Sequence, residues 1–173
     1  CSSATIANPV ELAEKICGKS FACVSHDGSG AAERRYCLVQ PPKIQGKDGN
    51  YYGQESTVAV AAQMLPRLIE DEKSFLAFTR SRRNVEIVLK ETRDRLDQAG
   101  LISGYRGGYT PKERKEIERK MIAGELLGLV STNALELGID IGPISTTVLV
   151  GYPGTRASFW QQTGRAGRSG KGS

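Results

Sequence analysis

One unit recurs through the second half of the chain, and that recurrence constrains the fold more than any other feature. A short apolar run is followed by a polar loop and then by a helically spaced stretch. Phe75–Phe78 leads into Thr79-Arg-Ser-Arg-Arg83 and a helix with apolar positions 85, 88, 89 and 96. Leu101–Tyr105 leads into Arg106-Gly-Gly-Tyr109 and a helix that opens on a capping box: Thr110 caps, Pro111 is first and Glu113 third. Gly124 closes that helix. Leu127–Val130 leads into Ser131-Thr-Asn133, and Thr147–Val150 into Tyr152-Pro-Gly-Thr155. Strand, loop and helix four times over is the signature of a parallel sheet with right-handed crossovers. Continuous apolar strands suit a sheet covered on both faces. The expected class is therefore α/β: a three-layer sandwich with a mostly parallel sheet and helices on both faces. In such a sheet the loops after the strands emerge on one rim, where ligands bind. Arg80, Arg82, Arg106, Gly107, Thr132, Asn133, Gly151, Gly154 and Thr155 are expected along that rim.

At 173 residues the chain can build one such domain with a proper core. The part before the repeat is less regular. Asn8-Pro-Val-Glu11 reads as a helix start and Gly18 as its end. Phe21–Val24 and Tyr36–Val39 are short strand candidates around a Gly-rich connection. Pro41 to Gly53 reads as a flexible segment. Val58 to Ile69 has helical spacing, with Pro66 expected to kink or reset the helix. Residues 1–50 thus form a lead-in of one helix and a strand pair, and 51–173 the main domain. The chain starts at Cys1 without Met and stops at Gly170-Lys-Gly-Ser173, so it reads as a piece of a longer protein.

Cys1, Cys17, Cys23 and Cys37 show no C-x-x-C pairing, so neither zinc nor a disulfide framework is expected, and buried or indifferent thiols in a reducing cytoplasm are. His26, the one histidine, has no partner at metal or triad spacing and reads as a loop residue. No signal peptide or transmembrane run is present, and no membrane partner is expected. Net charge is +5. Between Arg80 and Lys120 there are twelve basic and seven acidic residues. A polyanion partner and an ordinary solvated helix face both account for that excess.

The end of the chain is more specific. Gln161-Gln-Thr-Gly-Arg-Ala-Gly-Arg168 sets Arg165 and Arg168 three apart, each after a glycine, and no acidic residue follows Asp140. Guanidinium is the planar, always-charged group that suits phosphate oxygens. Rim loops bearing Gly, Ser, Thr and Arg bind phosphate through backbone N–H, hydroxyl and guanidinium together. Both a nucleic-acid backbone and a nucleotide fit that chemistry. Neither a Gly-x-x-x-x-Gly-Lys-Ser/Thr string nor an Asp-Glu-Ala-Asp or Asp-Glu-x-His string occurs, so ATP could be used only as half of a site.

Several strings resemble the motifs of superfamily-two helicases. Ser3-Ala-Thr5 resembles motif III, which implies that residues 1–50 open on the tail end of the first motor lobe; Phe78-Thr-Arg-Ser-Arg82 resembles motif IV, Ser131-Thr-Asn-Ala-Leu-Glu-Leu-Gly-Ile-Asp140 motif V, and Gln161 to Arg168 motif VI. With Tyr105-Arg-Gly-Gly-Tyr-Thr-Pro-Lys-Glu-Arg114, they make most of residues 56–170 similar to the second, RecA-like motor lobe of DNA helicases of the YprA-like group. That group carries a cysteine-rich zinc domain further along; no metal ligands are expected within these residues. The resemblance implies ATP and Mg2+, bound mainly by the first RecA-like lobe of the same protein, and movement 3′ to 5′ on single-stranded DNA. It places Gly138 and Asp140 at the nucleotide. It places Arg165, Arg168 and Gln161 at the γ-phosphate. Ser81, Arg82, Arg106, Gly107, Thr132 and Asn133 would hold one strand of nucleic acid. A cytoplasmic or nucleoid location follows, or a nuclear one in a eukaryote. A non-catalytic nucleic-acid-binding module and an RNA helicase lobe are the alternatives.

Overall fold

Phe75 and its three neighbours begin a sheet in which every ladder is parallel. The computed structural model describes residues 6–26, 33–136 and 139–167. Element labels follow chain order: α1 (Pro9–Cys17), β1 (Lys43–Gln45), β2 (Tyr51–Gln54), α2 (Thr57–Glu70), β3 (Phe75–Phe78), α3 (Arg82–Arg93), β4 (Ile102–Tyr105), α4 (Pro111–Ile122), β5 (Gly128–Ser131), β6 (Thr146–Leu149) and α5 (Arg156–Thr163). The main sheet has the order β4-β5-β3-β6. All of β3 and β5 is buried, as continuous apolar strands require. The outer strand β6 is half-buried at each position.

Alternation along the strands splits the core in two. Leu76, Phe78 and Leu129 point to one face, where Met121 and Ile117 of α4 cover them. Phe75, Ala77 and Val130 point to the other, against Leu65 and Ile69 of α2 and Val85, Val88 and Leu89 of α3. The three-layer α/β expectation is met. Local signals behave as read: Ser56 caps α2, Ser81 caps α3, and Thr110 with Glu113 forms a capping box on α4. Gly124, at φ 74°, takes the left-handed position after α4; its own N–H donates to the Met121 carbonyl and the Glu125 N–H to the Lys120 carbonyl, the two bonds of a Schellman motif.

Several expectations fail. Residues 21–26 and 33–40 hold no strand. The pairing falls instead in the segment read as flexible: β1 and β2 form an antiparallel hairpin across residue 50, exposed throughout, with Lys43 over the Tyr51 ring at 5.4 Å. Pro66 does not divide α2, which runs from Thr57 to Glu70. Leu65, Pro66 and Ile69 are all buried, and that packing offsets the one backbone bond a proline removes. Among the described residues, the unit after β5 has a short 3-10 turn, Asn133–Leu135, in place of a helix. Leu96 lies past the end of α3. At the start, Asn8 makes no capping bond; its amide donates to Glu11 instead, and α1 buries none of its residues.

Candidate functional site

The ladders end in step. Phe78 pairs with Ser131 and with Leu149, and Tyr105 pairs with Ser131, so the loops that follow leave one edge of the sheet together. The rim expected from periodicity is therefore present.

At its β4 end lie the residues read as strand contacts. Ser81 Oγ accepts from the Asn84 N–H at 3.1 Å, and Thr79 Oγ1 donates to the Ser81 carbonyl at 3.1 Å. Arg82 is exposed beside Gly107; a Cβ on that glycine would come 4.0 Å from Arg82 Nη2. Arg106 opens a tight turn in which its carbonyl accepts from the Tyr109 N–H. Its guanidinium lies over the Tyr109 ring at 5.3 Å and pairs with Glu86 at 3.2 Å. The pair is close but misaligned: Nε is buried and makes no hydrogen bond. The contact with the ring contributes on the order of 1 kcal/mol at such a half-exposed site. Thr132 is half-buried and Asn133 exposed. Tyr105 is structural: its hydroxyl donates to Glu118 at 2.7 Å, and burial first, then that carboxylate, holds its pKa above the usual tyrosine range.

Toward β6 the rim closes into a cavity of about 170 Å3 over the ends of β3, β5 and β6, lined by Thr79, Arg80, Asn133, Glu136, Ser158 and Gln162 among others. Thr155 caps α5 by accepting from the Ser158 N–H at 3.0 Å. Gln162 is buried and donates from Nε2 to Glu136 Oε2 at 3.0 Å. Neither Glu136 nor Gln162 was singled out in the sequence, where the neighbouring Gln161 stood for the motif; Gln161 is half-buried here. Helical spacing from Ser158 reaches both Gln161 and Gln162, so the sequence alone does not separate them.

Arg165 does not jut outward. It is 6% exposed, with Nε donating to the Glu136 carbonyl at 3.3 Å and Nη1 to the Ile139 carbonyl at 2.6 Å. Both of these acceptors are main-chain oxygens. Asp140 is exposed and its Oδ1 accepts from the Gly142 N–H at 3.1 Å, forming a local turn. Gly138 and Arg168 lie outside the described residues, as does the Ser3-Ala-Thr5 string. Trp160 of α5 is 54% exposed and packs edge-on against Phe159 and Tyr36. Among the described residues no group of three His, Cys, Asp or Glu side chains is placed to hold a metal, and no helix is long and apolar enough to cross a membrane.

Comparison with known proteins agrees with this geometry. The chain is 44% identical to the ATP-dependent helicase YprA of Bacillus subtilis over 97% of its own length and 22% of the relative's. Its fold matches the crystal structure of the helicase MrfA bound to DNA and AMPPNP, with a TM-score of 0.87, 42% identity, and coverage of 97% of this chain and 23% of that one. It also matches the Mycobacterium smegmatis helicase Lhr bound to ssDNA and AMP-PNP, with a TM-score of 0.76, 26% identity, and coverage of 98% and 22%. The chain thus spans about a fifth of the length of these relatives. The model of the helicase conserved C-terminal domain matches residues 59–170, and the chain belongs to that family.

Proposed function

We propose that this chain is the second motor lobe of an ATP-dependent DNA helicase or translocase, inactive until joined to a first lobe. The shared rim carries the reading: three parallel strands, β3, β4 and β5, bring Ser81, Arg82, Arg106, Gly107, Thr132 and Asn133 to one edge, where hydroxyls, main-chain N–H groups and guanidiniums can follow a phosphodiester backbone. The DNA named for the MrfA and Lhr structures supports a single DNA strand there.

The nucleotide would lie at the other end, against Gly138, Asp140, Gln161, Arg165 and Arg168. The nitrogen donors of this chain fit phosphate, while the magnesium-holding carboxylates belong to the first lobe; the metal supplies charge neutralisation at the phosphates when bound. Arg165 and Arg168 complete that site from across the cleft and stabilise charge on the transferring phosphoryl group. The two carbonyl bonds fix how Arg165 is presented. Residues 51–173 form this lobe and 1–50 lead into it, and the whole protein acts in the cytoplasm or at the nucleoid. The test is DNA-stimulated ATPase of the full-length protein, with this chain alone as the control. Stimulation by single-stranded DNA, and none of it in the isolated chain, is expected. Turnover by the isolated chain would sink the half-site reading, and stimulation by RNA alone would replace DNA with RNA.

A further inference from the structure

We infer that Glu86 and Tyr109 are positioning residues that aim the Arg106 guanidinium at a phosphate of the bound strand, an inference that rests on the strand reading of the rim. Three observations meet at this one side chain. One face of the guanidinium is laid on Tyr109 at 5.3 Å. Its Nε is buried 3.2 Å from Glu86 Oε1, with no hydrogen bond made. Only about a third of the side chain is exposed, which leaves the Nη edge as the part able to meet a ligand.

Tyr109 is itself held at both ends. Its carbonyl accepts from Arg114 Nε at 3.1 Å. Its hydroxyl lies over Gly104: a Cβ on that glycine would come 3.1 Å from the oxygen and 3.4 Å from Leu89 Cδ2. A bare backbone in the middle of β4 thus makes room for the ring. Glu86 lies one turn after Arg82 on α3, so the carboxylate and both arginines gather at the start of that helix.

A free arginine loses much rotamer freedom when it meets a phosphate; one already fixed on two sides loses less. On charge alone, a carboxylate beside a polyanion opposes binding. The positioning role predicts the reverse, and that sign makes it testable.

The experiment measures binding of the full-length protein to labelled oligothymidylate across a salt series. Glu86→Ala is expected to weaken binding several-fold although it deletes a negative charge. Glu86→Gln, which keeps an acceptor, binds as well as the parent or better. Tyr109→Ala weakens binding and Tyr109→Phe restores it. Glu86→Ala combined with Arg106→Ala is expected to bind no more weakly than Arg106→Ala alone, because the two act through one contact. Glu86→Ala binding equally well or more tightly, or fully additive losses in the double variant, would overturn the inference and leave the strand reading standing. Unchanged affinity and salt slope in Arg106→Ala would remove the strand reading and this inference together.

Discussion

The two ends of the rim hold arginine in opposite ways. At the β4 end Arg106 rests on an aromatic face, beside a carboxylate it does not quite reach. At the α5 end Arg165 is drawn into the body of the protein by the carbonyls of Glu136 and Ile139. One setting suits a contact that must form and release as a strand passes. The other suits a group whose placement must not vary, since a guanidinium serving charge in a transition state acts through orientation. The difference teaches that an arginine-rich rim is not one electrostatic surface. Its charges are divided between a gripping end and a rigid end.

The largest expected effect tests the rigid end. Arg165→Ala in the full-length protein should lower ATP turnover by about three orders of magnitude, with strand affinity little changed. Steady-state ATPase and a binding titration check this; preserved turnover would make Arg165 a structural residue alone. Next, Glu136→Ala should cost about 1–3 kcal/mol in thermal or denaturant unfolding, because Gln162 Nε2 is left buried without its acceptor. Arg106→Ala should cost no more than about 1 kcal/mol of stability, the loss of the ring contact, yet weaken strand binding and reduce the salt slope by about 1. If Glu136→Ala and Arg106→Ala cost equal stability, the contrast between the two ends is lost.

The smallest effect concerns the helix behind the Arg106 turn. The Glu113 carboxyl is held below its ordinary 4.5, first by the Thr110 backbone N–H and then by the Thr110 hydroxyl. A carboxyl lowered in the folded state stabilises it above the unfolded value, and that stabilisation is lost as pH falls through the folded value. The stability difference between the parent and Glu113→Gln should therefore be present at neutral pH and vanish in acid. A difference that persists in acid would mean that the charge plays no part.

Much of this was legible in the sequence because the relevant signals are local. Apolar runs at 75–78 and 127–130, the capping box at Thr110, and Gly124 each specify their own few residues, and the parallel rim follows from repeating them. The hairpin was also within reach: Gly46 and Gly49 with Asp48 between them form a turn signal, and Tyr51-Tyr52 supplies strand formers beside it. Reading Pro41–Gly53 by composition alone hid this. Pro66 misled because the rule against proline inside a helix is local, whereas the burial of its neighbours Leu65 and Ile69 comes from α3 and the sheet. Arg165 was recognisable as a phosphate-type residue, but not as an inward one. Its partners are carbonyls 26 to 29 residues earlier, and no pattern of side chains encodes where a main-chain oxygen will point.

Trp160 is the sole tryptophan in the sequence, and it lies half in water on the outer shoulder of α5 with Phe159 and Tyr36 at its edge. The molecule therefore carries its own optical gauge. Any body that settles over that shoulder will dry the indole and move its emission to shorter wavelength, so closure around this lobe can be followed by light without attaching a dye.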